Sequence, residues 1–305
     1  MVKARIAVIG GSGLYEMEGL ANVQKVEVST PFGSPSDAIT VGNLDGESVA
    51  FLPRHGRGHQ IMPTNLPVRA NIYALKTLGV ERIISVSAVG SLQEEFQPLD
   101  LVVPHQLIDR TYHREHTFFE DGVVAHIAFA DPFCPTLSEL LYHAATDTGA
   151  KVHAGGTYIV MEGPAFSTRA ESHMYRGWGA DIIGMTALPE AKLAREAEIC
   201  YTTLACVTDY DCWRKATESV TVEMVVANLQ KNVETSKNAL RGLIPRIPQG
   251  RNCYCDSALK DAVLTPREMV PDEIKKKLAP LLGKYFGQVE GVESVVQGDP
   301  SQEAQ

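Results

Sequence analysis

Two aspartates, Asp209 and Asp211, close an apolar run in the segment CVTDYDCW (206–213). In extended backbone, residues two apart point the same way, so the pair is predicted to face one site. Two carboxylates held close in a poorly solvated place do not both ionise readily. One keeps its proton near neutral pH while the other stays an acceptor. A purine uses that combination, because N7 accepts a proton and a 6-amino group donates one. The plainer reading is an exposed turn with two solvated acids.

Other residues capable of chemistry also follow apolar runs. AVIGGSGLYE (7–16) nearly matches the dinucleotide fingerprint, but Glu16 occupies the third glycine position. Backbone N–H groups and the Ser12 hydroxyl could still wrap an anion there. PRHGRGHQIMP (53–63) gathers Arg54, His55, Arg57 and His59. A planar guanidinium fork beside a further donor suits a phosphate. A metal held by His55 and His59 would lack a nearby carboxylate, and a solvated basic loop is the third reading. Ser87 and the amides of SAVGSL (87–92) could complete an anion site with Ser12 and Arg54. Phe166 in VMEGPAFSTRAES (160–172) could stack on a ring or pack in the core. Met185 and Thr186 stand at a strand end in IIGMTALPE (182–190), and DRTYHREH (109–116) reads as a solvated face.

The elements that must position these residues alternate in type. Apolar, β-branched runs occur at 5–10, 48–53, 82–90, 100–109, 156–163, 181–185 and 200–209. Helical spacing of apolar residues appears at 67–79, 137–149, 168–179 and 188–198, with a long helix to Leu243. Thr168 and Glu171 predict a capping box, as do Thr265 and Glu268, and 273–286 reads as amphipathic. The alternation predicts an α/β fold with a mixed central sheet flanked by helices. A catalytic domain over 1–245 would carry a helical extension over 246–288 and a polar, disordered tail over 289–305.

The 305 residues are 44% hydrophobic and carry a net charge of −9 with no basic block, which argues against nucleic-acid or anionic-membrane partners. No apolar run is long enough to span a bilayer, and the start reads as a first strand rather than a signal peptide, so a cytoplasmic location is expected. The six cysteines form no CxxC and fit no zinc spacing with histidine, so reduced thiols are expected. Cys253 or Cys255 pairing with Cys200 or Cys206 is the alternative.

Together, IGGSGL, TPFGSPSD, RHGRGHQIMP, AVGSL, EGPAFSTRAES, GADIIGMTALPE and TDYDCW resemble, in order over about residues 5 to 240, the trimeric purine nucleoside phosphorylase family and its methylthioadenosine-cleaving branch. The resemblance implies that fold, phosphate as co-substrate, no metal or organic cofactor, and a homotrimer with shared active sites. By motif it implies phosphate binding by Ser12, Arg54, His55, Ser87 and the Ala88 amide. Phe166, Met185 and Thr186 would contact ribose and base. Asp209 would be the acid at N7, with Asp211 on the 6-amino group. His126 would reach the 5′ end of a neighbouring subunit's nucleoside, and Val222 and Val225 would line a methylthio pocket. Some relatives have a C-terminal Cys-x-Cys involved in disulfides. A phosphorylase of broader or 6-oxopurine preference and a non-catalytic nucleotide-binding module are the rival functions.

Overall fold

The computed structural model describes residues 2–11, 13–14, 17–214, 222–287 and 296–298. The strands are β1 (Ile6–Gly10), β2 (Ala21–Val28), β3 (Ile39–Leu44), β4 (Glu47–Pro53), β5 (Arg82–Ser91), β6 (Leu101–Val103), β7 (Gln106–Arg110), β8 (Val152–Ala154), β9 (Thr157–Met161), β10 (Ile182–Gly184), β11 (Cys200–Asp209) and β12 (Val296–Gly298). The α-helices are α1 (Val68–Thr77), α2 (Pro135–Thr146), α3 (Arg169–Gly177), α4 (Ala187–Glu196), α5 (Val222–Leu243), α6 (Asp272–Lys277) and α7 (Ala279–Phe286). The strands join in one mixed sheet, giving the α/β architecture that the alternation predicts.

The centre of the sheet is parallel, with β4, β1, β5 and β11 side by side. Both faces are covered, so these strands read as unbroken apolar runs. Ala7, Ile9, Ala50 and Leu52 pack with Ile72, Leu75 and Leu193 on one face. Ile6, Val8, Val49 and Phe51 pack with Leu137, Leu141 and Leu240 on the other. Leu278, Leu281 and Phe286 share the first of these cores, so the C-terminal helices are packed on the same body.

The site depends on β5. It pairs with β1 only as far as Ser85, and that edge is next met by antiparallel β10 at Gly90 and Ser91. The other edge stays on β11. Between those pairings β5 opens a crevice beside the carboxyl ends of β1 and β4, the kind of place where α/β sheets bind ligands. Gly10 permits the close approach of β1, since a Cβ there would lie 2.4 Å from Leu14 Cδ1 and 3.3 Å from the Val86 carbonyl oxygen.

Three local expectations change. The run 100–109 is two strands, because Pro104 removes a ladder donor and breaks the run. β6 pairs with β11 and β8, whereas β7 pairs with β9 at the far edge. Thr265 does not cap a helix; its hydroxyl accepts the Val124 N–H at 2.9 Å, and only a short 3-10 turn, Arg267–Met269, follows. β2 and β3 pair as an antiparallel ladder that the polar sequence of β2 concealed. Within 289–305, Val296–Gly298 pairs with β2; the rest of that segment lies outside the described residues.

Candidate active site

Arg54 follows β4 directly, and its N–H bonds the Gly10 carbonyl at 2.9 Å. Its side chain is buried, with Nε donating to Glu190 Oε1 at 2.6 Å, Nη1 to the Val86 carbonyl at 3.0 Å, and Nη2 to Ser85 Oγ at 2.7 Å and the Ile9 carbonyl at 3.2 Å. A guanidinium has five N–H bonds, so one Nη1 hydrogen remains available. Burial disfavours the charge, yet the adjacent Glu190 carboxylate raises Arg54 above its ordinary pKa. Glu190 also accepts from Tyr201 Oη at 2.9 Å. Arg54 is therefore a paired, anchored cation rather than the open fork that the sequence suggested. Sequence reasoning missed Glu190; the available signal was its helical spacing with the apolar Ala187 and Ala194.

His55 Nδ1 donates to the Ile61 carbonyl at 2.8 Å, which leaves Nε2 as an acceptor in the neutral ring. Burial, with the Arg54 charge also disfavouring a second cation, lowers His55 to about 4. His55 and His59 stack with centroids 4.1 Å apart, and no carboxylate completes a metal set around them among the described residues.

Three hydroxyls converge at the crevice. Ser87 and Thr186 lie beside the fully buried Tyr158 phenol. Ser87 Oγ, Thr186 Oγ1 and Tyr158 Oη are all buried without a hydrogen-bond partner among the described residues. Buried polar groups are normally partnered, so such a convergence marks a place built for a polar ligand. Gly184 makes room for the phenol, as a Cβ there would lie 2.3 Å from Tyr158 Oη. The Val86 carbonyl faces the open edge toward Arg54, so Ala88, two residues on, presents its N–H to the same edge. Tyr158 was not singled out in the sequence, where it reads as an ordinary aromatic of a buried strand.

Asp209 ends β11 opposite Gly90, beyond a register shift after Val207. It is buried, and burial first, then the Asp211 charge, raises its pKa against the opposing bonds from Thr208 Oγ1 at 2.7 Å and the Asp211 N–H at 2.9 Å. Asp211 is adjacent, but not through strand alternation: its φ is +37°, a turn conformation. Its carboxylate accepts from Ser167 Oγ at 2.9 and 2.8 Å and from Ser172 Oγ. The extended-backbone premise is thus corrected, and burial rather than like-charge repulsion is the larger cause of the raised pKa. Gly90 keeps the space clear, since a Cβ there would meet Asp209 Oδ2 at 3.2 Å and Asp211 Cβ at 3.3 Å.

Ser167 precedes the Thr168–Glu171 capping box, which forms as expected at the start of α3. Asp211 therefore fixes the loop carrying Phe166, whose ring is 59% exposed and so free to stack rather than packed in the core. Arg114, in the segment read as solvated, is buried and holds the Met185 and Leu188 carbonyls at 2.6 and 2.7 Å. It supports the turn carrying Met185 and Thr186. His126 is exposed on a segment bridged to Val263, and its N–H bonds the Ala262 carbonyl at 2.8 Å. It makes no hydrogen bond to the strand-end cluster among the described residues. Ser12 lies outside the described residues, as do the side chains of Val222 and Val225 on α5.

The sheet thus carries a polar crevice at its strand ends with a buried acid beside it. Residues 5–245 match the Phosphorylase superfamily, and the chain belongs to that family. It is 55% identical over 287 residues to the S-methyl-5′-thioadenosine phosphorylase of Koribacter versatilis, covering 94% of this chain and 98% of the relative. The enzyme of that name from Hyperthermus butylicus is 53% identical over 267 residues, covering 86% and 97%. A methylthioadenosine phosphorylase from an antarctic soil metagenomic library superposes with a TM-score of 0.89 at 51% identity, covering 92% of this chain and all of that one. The Schistosoma mansoni methylthioadenosine phosphorylase in complex with adenine gives 0.76 at 34% identity, covering 92% and 98%.

Proposed function

We propose that this chain catalyses phosphorolysis of 5′-methylthioadenosine to adenine and 5-methylthioribose 1-phosphate. The observation that carries the reading is a buried acid of raised pKa, Asp209, at the crevice that also bears the convergent hydroxyls of Ser87, Tyr158 and Thr186. Gly90, opposite Asp209, is three residues beyond Ser87, a strand distance of about 10 Å that a sugar carbon between phosphate and base can bridge. The names of the relatives supply the particular nucleoside.

Phosphate is held by Ser87, Thr186, the Ala88 N–H, Ser12 and the remaining Nη1 hydrogen of Arg54. Thr186 thereby moves from the sugar and base set to the anion. His55 Nε2 accepts the P–O–H of the monohydrogen anion. The bound anion stabilises positive charge growing at C1′ and attacks there. As the C1′–N9 bond breaks, its electrons pass into the purine, and Asp209 delivers its proton to N7 so that adenine leaves neutral. Unused lone pairs of the Asp211 carboxylate accept from the 6-amino group. Phe166 and Met185 border the base and sugar. Val222, Val225 and the His126 of a neighbouring subunit take the 5′ end in a homotrimer. The chemistry requires neither metal nor organic cofactor.

Adenine release measured with and without phosphate, with adenosine and inosine in parallel, tests the reading. It requires phosphate-dependent cleavage of methylthioadenosine, weaker cleavage of adenosine, since one apolar contact at the 5′ end is worth about 1–3 kcal/mol, and none of inosine. Preferential cleavage of inosine would contradict it and favour the 6-oxopurine alternative.

A further inference from the structure

At the opposite end of β11 from Asp209, four cysteines converge. The Sγ atoms of Cys134, Cys200, Cys253 and Cys255 all lie within 4.8 Å of one another. Cys134 precedes α2, Cys200 opens β11, Cys253 caps the short 3-10 segment Tyr254–Ser257 and Cys255 lies within it. Two ligands thus come from the central body and two from the C-terminal extension. We propose that these four thiols form a structural site for a single tetrahedral, thiophilic divalent cation of the zinc class.

The geometry favours an ion over covalent pairing. The Sγ atoms of Cys200 and Cys253 are 3.4 Å apart, against about 2.05 Å in a disulfide. Four thiolates at about 2.3 Å from a tetrahedral zinc stand about 3.8 Å from one another, within the observed spread. Two disulfides would need only two separate pairs, whereas here every thiol is near every other. Cys134, Cys200 and Cys255 are buried, while Cys253 is half-buried and marks the side from which an ion can enter. A cavity of about 40 Å³ adjoins Cys134, Cys200 and Cys253, and Arg82 and Arg251 also line it. Arg251 favours the double negative charge of a tetrathiolate complex of a divalent ion, while Arg82 is already paired with Glu81 at 2.8 Å. The first turn of α2 directs its unpaired N–H groups toward the Cys134 end, which favours the thiolate. Binding releases the thiol protons to solvent and transfers no electron.

The sequence pattern concealed the site because its ligands are 66, 53 and 2 residues apart along the chain. Closing it ties the extension to the body. The same extension supplies the Ala262 carbonyl and the Val263 bridge that hold the segment bearing His126. The site is independent of the phosphorolysis reading, as its test does not use turnover.

The full chain, expressed with zinc in the medium and purified under a phosphine reductant, is assayed for bound metals by plasma mass spectrometry. About one zinc per chain is expected, and cobalt exchange should give the intense visible and near-ultraviolet bands of tetrahedral thiolate coordination. Cys253→Ser, at the half-buried ligand, should retain metal at least about tenfold less well on dialysis, while Cys206→Ala, outside the cluster, should retain it. Circular dichroism checks that each variant is folded. A chelator should lower the Tm of the wild-type chain and leave that of Cys253→Ser unchanged. A metal-free wild-type chain overturns the proposal, whether its thiols all titrate or its intact mass is lower by about 2 Da per disulfide. Equal metal retention by Cys253→Ser and wild type overturns it too.

Discussion

Asp209→Asn tests the proposed proton transfer to the leaving base. The carboxylate now accepts from Thr208 Oγ1 at 2.7 Å and the Asp211 N–H at 2.9 Å. An asparagine can keep Oδ1 on the Asp211 N–H and turn its amide toward Thr208, whose hydroxyl then donates to the Val89 carbonyl already 3.2 Å away. The fold should therefore lose no more than about 1 kcal/mol. The amide can still hydrogen-bond N7 but cannot surrender a proton to it. The rate on methylthioadenosine should fall by about 10²–10⁴, equivalent to about 3–5 kcal/mol of transition-state stabilisation. Relative preference for inosine should rise, because a departing 6-oxopurine spreads its charge onto O6 and can leave on a donated hydrogen bond alone, whereas adenine depends on the N7 proton. Initial rates of base release at saturating phosphate, with a parallel urea melt, read both effects. A folded variant within about threefold of wild type on methylthioadenosine, with preference unchanged, would refute the assignment of Asp209.

Four other outcomes follow from the site and its supports. Glu190→Gln leaves the Arg54 guanidinium buried without its countercharge, and urea denaturation should show a loss of about 3–5 kcal/mol; a loss below about 1 kcal/mol would contradict the anchoring role. Ser87→Ala should raise the phosphate KM about tenfold, the value of one hydrogen bond to a charged group, and leave the nucleoside KM within about twofold; equal changes in both would place Ser87 elsewhere. His55 titrates at about 4 in the free chain, and saturating phosphate should raise it by at least about one unit in a proton NMR titration; an unchanged midpoint would remove it from the anion site. Burial raises Glu196 to about 7 while it holds the Phe118 N–H and Thr117 hydroxyl. Its folded pKa exceeds the unfolded one, so its stabilising contribution is complete below about 4.5 and is lost as pH rises through about 7. Glu196→Gln should gain on the order of 2 kcal/mol at pH 8 and nothing at pH 4, read from paired thermal melts.

The strands that build the crevice were legible because they are buried on both faces. SVAFLP, RIISVSAVG and CYTTLACVTD have no reading as surface structure, and they fixed where Arg54, Ser87 and Asp209 emerge. The Thr168 capping box was legible for the same local reason. What the sequence hid was tertiary. Glu190 and Arg54 are 136 residues apart and neutralise each other only in the fold. Tyr158 gains its role from two hydroxyls on β5 and the turn after β10. Arg114 looked solvated among charged neighbours and is instead the donor that holds the Met185 turn. Asp211 was right in neighbourhood but wrong in mechanism, because a single positive φ broke the alternation on which its prediction relied.

In the proposed mechanism a proton passes to N7 while phosphate is bound at the hydroxyl cluster. Its most direct test is the turnover of the 7-deaza analogue of methylthioadenosine, which keeps the 6-amino group, sugar and thioether but has carbon in place of N7. Competitive binding at an affinity near that of the substrate is expected, with phosphate-dependent cleavage slower by at least about 10². Cleavage at a rate within about tenfold of the natural nucleoside would contradict it.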